Sequence, residues 1–207
     1  MSKPKDFGWS AAGEYVVRAD AGGVALPTPE AIRARRVRFD DSVREIPDDF
    51  FHVGDREPYC ALEEVFIPAS VMRIGVAVFA FCVSLRIVTC QPPVSLRPVS
   101  LEAMFAKCQS LADISFLAAW DTSEVTSMKG TFAACTALSD ISPIVGWNTS
   151  HVRTMAALFA GCSALCDLTP LAAWDTSRVA DATSLFAGCS AAPVPPNLLR
   201  LTSLETA

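Results

Sequence analysis

Thiols raise the first question in this sequence. Cys82, Cys108, Cys135, Cys162 and Cys189 each stand three residues after a phenylalanine, in the strings FAFC, FAKC, FAAC, FAGC and FAGC. Cysteines at fixed intervals can serve as nucleophiles, zinc ligands, disulfide partners or small buried apolar groups. A nucleophile needs a histidine base, and the two histidines of the chain are His52 and His151. His151 takes a repeat position where the sister units carry Glu124 and Arg178, which marks an exposed, non-catalytic place. Zinc is served poorly as well: Cys162 and Cys166 have ligand spacing, but no second pair repeats it. No phosphate-cradling glycine loop and no paired acid and base stand out. The sequence therefore predicts no enzyme, no metal and no cofactor.

The elements that carry these cysteines repeat with them. Phe79, Phe105, Phe132, Phe159 and Phe186 are separated by 26, 27, 27 and 27 residues. Trp120, Trp147 and Trp174 keep a step of 27, as do Val125, Val152 and Val179, and Asp113, Asp140 and Asp167. A fixed period of this size is the signature of an array whose units bury their apolar faces by stacking on one another. Within a unit, Val125, Met128, Phe132 and Cys135 fall at i, i+3, i+7 and i+10, the stripe of a short helix. Asp121, Thr122 or Ser123 would cap it, and D/N-T-S recurs at the same place in the next two units. Leu138, Ile141 and Ile144, like Leu165, Leu168 and Leu171, predict a short extended segment. Strands of successive coils would then pair in a parallel sheet at about 4.8 Å spacing.

The unit L-x-D-[IL]-[ST]-x-[LI]-x-x-W-[DN]-T-S-x-V-x-x-M-x-x-x-F-A-x-C over Leu111 to Cys189 resembles the leucine-rich repeats of the BspA-like family. A second form of that repeat, IP-x-S-V-x-x-I followed by F-x-x-C-x-x-L, is similar to the stretch from Val65 to Leu85. A degenerate earlier unit is expected from Val43, Ile46 and Phe50 to Cys60 and Leu62, with GDREP inserted before the cysteine. The resemblance covers residues 43 to 192. It implies a right-handed α/β solenoid of about five to six coils of 26–27 residues, with a parallel sheet on one face and short helices on the other. It also implies a role in binding proteins or surfaces. Family members are often secreted or membrane-anchored, which makes a surface antigen or adhesin, or a structural subunit of a larger assembly, the alternative to a protein-binding scaffold.

In such a stack the framed cysteines line one interior column, and packing is the favoured reading, with disulfides between column members as the alternative. The tryptophans, at the corner before D/N-T-S, are expected to pack across coils, and Asn148 is read as a cap. The exposed candidates for partner binding are Asp113, Ser115, Asp140, Ser142, Asp167 and Thr169, together with the edge residues Glu124, His151 and Arg178. Asp113, Asp140 and Asp167 would form an acidic column on the sheet face, held there for a partner or for local turn bonds.

Half of the 207 residues (51%) are hydrophobic and 19% are charged, so the chain can bury a core. A net charge of −5 and a pI near 5.0 leave no basic footprint, so nucleic acid is not an expected partner. Neither a secretory signal nor an apolar run long enough to span a membrane is seen, which predicts a cytoplasmic location without membrane insertion. Before the array, residues 1–42 form an N-terminal segment or cap, with short strands or a hairpin around Tyr15 to Val24 and a helix opening near Thr28. Arg33, Arg35, Arg36 and Arg38 in it are read as a solvated or ion-paired cluster. Residues 193–207 form a C-terminal cap or tail whose Leu198, Leu199, Leu201 and Leu204 would cover the open end of the stack. The partner itself and the oligomeric state are not written in the sequence.

Overall fold

The structure, a computed structural model, describes residues 13–52, 60–92, 96–190 and 193–202. Met1 to Ala12, the GDREP insertion and Leu204 lie outside the described residues. Alternating apolar and charged residues in RVRF and EVFI suit strands buried on one face. The strands are β1 (Tyr15–Val17), β2 (Arg36–Phe39), β3 (Glu45–Ile46), β4 (Glu64–Ile67), β5 (Arg73–Ile74) and β6 (Ile87–Cys90). A parallel sheet runs in the order β1-β2-β4-β6, with Val37 opposite Val65 and Val65 opposite Val88, all turned inward. The described residues before position 43 therefore belong to the same stack as the repeats.

The outer face of this sheet is ionic. Arg36 pairs with Glu64 at 3.3 Å, Arg86 reaches Glu64 at 2.9 Å, and the Nε of Arg35 donates to Glu63 at 2.6 Å. Arg38 lies over the Phe66 ring, 4.3 Å from its centre. Much of the basic cluster near the N-terminus is thus spent on neighbouring coils.

On a second side of the stack, β3 and β5 pair in parallel, and the line continues through single bridges Ser100–Ser127, Ser127–Thr154 and Thr154–Asp181. Here the structure corrects the expected helix. Residues 125–135 form tight turns, with φ of 61° at Gly130 and 60° at Ala134. The amides of Met128, Gly130, Phe132 and Ala134 donate to the carbonyls of Thr154, Ala156, Leu158 and Ala160 in the next coil, at 3.0, 2.8, 3.0 and 2.6 Å. The residues between them bond locally, Ala133 N–H to Gly130 and Cys135 N–H to Phe132, both at 3.0 Å. A segment this short is a marginal helix by itself. Bonds to the neighbouring coil satisfy the same backbone groups while keeping Val125, Met128, Phe132 and Cys135 inside, which is why helical spacing appears without a helix.

The expected extended segments are corrected too. Ser115–Ala119, Ser142–Ile144 and Thr169–Ala173 are 3-10 turns. Pro143 and Pro170 lie in their first turns, where a missing N–H costs nothing and the fixed φ suits the geometry. In the later coils the parallel bridges and the short 3-10 helices each lie on the side where the other was expected, whereas in the early coils the parallel sheet follows the framed leucine as expected.

The two ends are closed by helices. Thr28 caps α1 (Pro29–Arg33) by accepting the Ala31 N–H at 3.2 Å, and Ala31 is buried. At the other end, α2 (Pro196–Thr202) buries Leu198 and Leu201 and leaves Leu199 exposed. Asn197 at its start donates to the carbonyls of Leu171 and Trp174, each at 3.0 Å, as a further coil would.

Candidate functional site

What lies inside limits what the surface can do. Phe51, Phe79, Phe105, Phe132, Phe159 and Phe186 stack ring on ring with centroids 5.5 to 6.0 Å apart. Phe51, not Phe50, occupies the column in the degenerate unit; Phe50 packs edge-on against Phe39 at 5.2 Å. Beside this column, the S–H groups of Cys108, Cys135, Cys162 and Cys189 donate to the carbonyls of Phe79, Phe105, Phe132 and Phe159 at 3.0 to 3.1 Å. Burial pushes the Cys162 thiol up to about 12 and raises Cys108, Cys135 and Cys189 as well. Such thiols stay protonated and packed. All eight cysteines are free, and among the described residues no group of three or more His, Cys, Asp or Glu is placed to hold a metal ion.

The tryptophans are equally interior. Trp147 and Trp174 stack at 6.2 Å, and their indole N–H groups donate to the carbonyls of Leu117 and Ile144 at 3.1 and 3.2 Å. The D/N-T-S corner divides its labour. Thr122, Thr149 and Thr176 are buried and donate to carbonyls of the next segment, while Asp121, Asn148 and Asp175 accept the amides of Ser123, Ser150 and Ser177 at 2.8 to 3.0 Å. These residues make turns rather than cap helices.

All nine candidate residues are exposed, and the structure sorts them into two groups. Asp113, Asp140 and Asp167 do not sit on a sheet. Each uses its Oδ1 to accept the amide of Ser115, Ser142 or Thr169 at 2.8 to 2.9 Å and so starts a 3-10 turn. Those backbone bonds hold the carboxyl groups of Asp140 and Asp167 below the usual range. Glu124, His151 and Arg178 stand one residue past the D/N-T-S corner. His151 has the Ser150 hydroxyl 3.3 Å from its Nδ1.

Of the nine, Glu124 borders a groove. A groove of about 950 Å³ opens beside β3 and β5, lined by Met72, Val99, Arg73, Arg97, Asp121 and Glu124, among others. Met72 is 57% exposed and Val99 60%, the largest exposures among the large apolar side chains of the described residues. Around them, Arg97 pairs with Asp121 at 3.3 Å and Arg73 with Glu45 at 3.7 Å. The groove escaped the sequence reading because its lining comes from several coils. One signal was present: Val99 stands in a column that continues with the amide-linked Thr126, Arg153 and Ala180, where an outward valine is out of place.

Residues 99–196, under half the chain, match the family described as Mycoplasma protein of unknown function, DUF285. No curated protein matches the chain. Among solved structures the chain is similar to a leucine-rich repeat protein from Eubacterium ventriosum, at 17% identity and a TM-score of 0.55, covering 88% of this chain and 50% of that one. It is also similar to the leucine-rich repeat protein of T. pallidum, at 20% identity and a TM-score of 0.51, over 100% of this chain and 97% of that one. The chain thus spans half the length of the first of these. At such identities the likeness shows the fold, a leucine-rich-repeat type of stack. No described helix is long and apolar enough to cross a membrane.

Proposed function

We propose that this chain is a non-enzymatic protein-binding scaffold of the BspA-like kind, a right-handed solenoid of about five to six coils. In this reading residues 43–192 form the recognisable repeats, with residues 1–42 adding their strands to the stack as its N-terminal cap and 193–207 closing the other end. The observation that carries it is the groove beside β3 and β5, where Met72 and Val99 remain open to solvent between charges of both signs. Contiguous exposed apolar surface rimmed by polar groups marks a place for a partner. The occupant that fits is a protein segment that sets an apolar side chain against Met72 and Val99, with flanking charges that meet Arg73, Arg97 and Glu124. The thiols of Cys108, Cys135 and Cys162 and the indoles of Trp120, Trp147 and Trp174, by contrast, are buried in the interior. His151, Arg178 and the pairs Asp113–Ser115, Asp140–Ser142 and Asp167–Thr169 form a second candidate surface on the later coils. A structural or surface-adhesive role within a larger assembly is the competing reading.

The test compares three immobilised proteins for what they retain from the cells that make them: the wild type, a Met72→Glu/Val99→Glu variant and Asp140→Lys. A stoichiometric partner lost with the groove variant and kept with Asp140→Lys supports the groove. Loss with Asp140→Lys alone moves the interface to the aspartates, and retention by both variants rejects both surfaces. A filament or cell-surface pattern for the tagged native protein supports the competing reading.

A further inference from the structure

The cysteine column is regular except at its start. In four successive coils the thiol donates to the carbonyl of the framed phenylalanine one coil earlier. Cys82 occupies the same frame one coil earlier, yet its partner is a sulfur: its Sγ lies 2.8 Å from the Sγ of Cys60. The cause is the insertion. Cys82 follows Phe79 by three positions, whereas Cys60 follows Phe51 by nine, so Cys60 falls outside the frame that the other cysteines keep. Its sulfur takes the place that a backbone carbonyl holds in the other coils. The gap exceeds a disulfide bond length by only about 0.8 Å. Cys82 is fully buried, while Cys60 retains 5% exposure and is the one of the pair that a small reagent can meet.

We propose that Cys60 and Cys82 are an oxidation site: a dithiol that a small-molecule disulfide converts to a disulfide bond, tying the coil of Phe51 to the coil of Phe79. The Cys60 sulfur attacks one sulfur of the reagent, forms a mixed disulfide and releases one thiol. The Cys82 sulfur then attacks the Cys60 sulfur and expels the second thiol, carrying the remaining proton away. Two protein thiols are oxidised and one reagent disulfide is reduced to two thiols, so electrons and protons balance. The order of attack follows from the environment. The hydrogen bond from Cys82 lowers the Cys60 thiol from its ordinary value, while burial holds Cys82 well above its own. Cys108, Cys135 and Cys162 have carbonyl partners and no exposed sulfur, so they stay reduced.

The full chain, fully reduced and then exposed under native conditions to glutathione disulfide, tests this by peptide mapping after free thiols are alkylated in denaturant. The exposed Cys166 reports that the reagent worked by taking up glutathione. The expected result is one internal crosslink, Cys60 to Cys82, with Cys108, Cys135 and Cys162 recovered as thiols. In Cys60→Ala, Cys82 should be recovered as a thiol. Three results would overturn the assignment: Cys60 and Cys82 both free while Cys166 is modified, a glutathione adduct that persists on Cys60, or a Cys82–Cys108 crosslink in the variant.

Discussion

The coils up to Cys90 and those from Leu101 onward share one interior and solve their outer side differently. In the early coils the segment after the framed leucine reads RIVTC and pairs as strand β6; in the later ones it reads ADISFLAAW, SDISPIVGW or CDLTPLAAW and curls into a 3-10 turn. β-Branched residues favour the sheet, whereas an aspartate that binds the amide two residues on, often followed by proline, favours the turn. The early coils join across that side by ladder bonds and Arg–Glu pairs, and the later ones by stacked tryptophans. A common core therefore constrains the repeat length, while the few residues outside it choose the local structure.

The largest expected effect tests whether the core is shared. Phe79→Ala in the early coils and Phe132→Ala in the later ones should each cost about 3–5 kcal/mol in denaturant unfolding, because both rings are fully buried in one column. Unequal losses, one small and one large, would split the column into two cores. Next, Trp147→Phe should cost about 1–3 kcal/mol by leaving the Leu117 carbonyl without its donor, an interaction that the β4–β6 side does not use. A smaller effect has the opposite sign. Ala134→Gly should raise stability by about 1 kcal/mol, since Ala134 holds φ at 60° where the sister positions carry Gly161 and Gly188.

The smallest effects separate the two outer faces by solution conditions. Asp140 and Asp167 have lowered folded-state pKa values, so their contribution is full above the unfolded carboxylate range and fades as pH falls through the folded values. Asp140→Asn keeps the turn acceptor, as Asn148 does naturally, and should flatten the dependence of Tm on pH below about 4. A Tm profile unchanged by that substitution would remove the aspartates from the later turns. Added salt should act instead on the exposed Arg–Glu pairs of the early coils, with a slight loss of Tm that the Asp turns do not share.

The frame, the buried columns and the stacking were legible because period and residue type repeat together; Phe105, Cys108, Trp147 and Val152 all fall where their spacing places them. The local structure was not. An apolar i, i+3, i+7 stripe fits a helix and equally fits tight turns whose amides bond to another coil, and the neighbouring coil is invisible in a local window. Phe50 and Phe51 exchanged roles because the insertion hides the register on which the other units rely. Aspartate at positions 113, 140 and 167 fitted both an acidic column and a local turn acceptor, and each accepts the amide two residues ahead. The groove needed Met72, Arg97 and Glu124 together, three residues brought to one place only by stacking.

The most direct test of coil-to-coil stacking is a through-hydrogen-bond scalar coupling, measured by NMR on labelled protein, at the Phe132 amide. Stacking predicts a coupling from the Phe132 nitrogen to the carbonyl carbon of Leu158, across the 3.0 Å bond to the next coil. A coupling to the carbonyl of Met128 instead, four residues back, would mean a helix and would contradict the account.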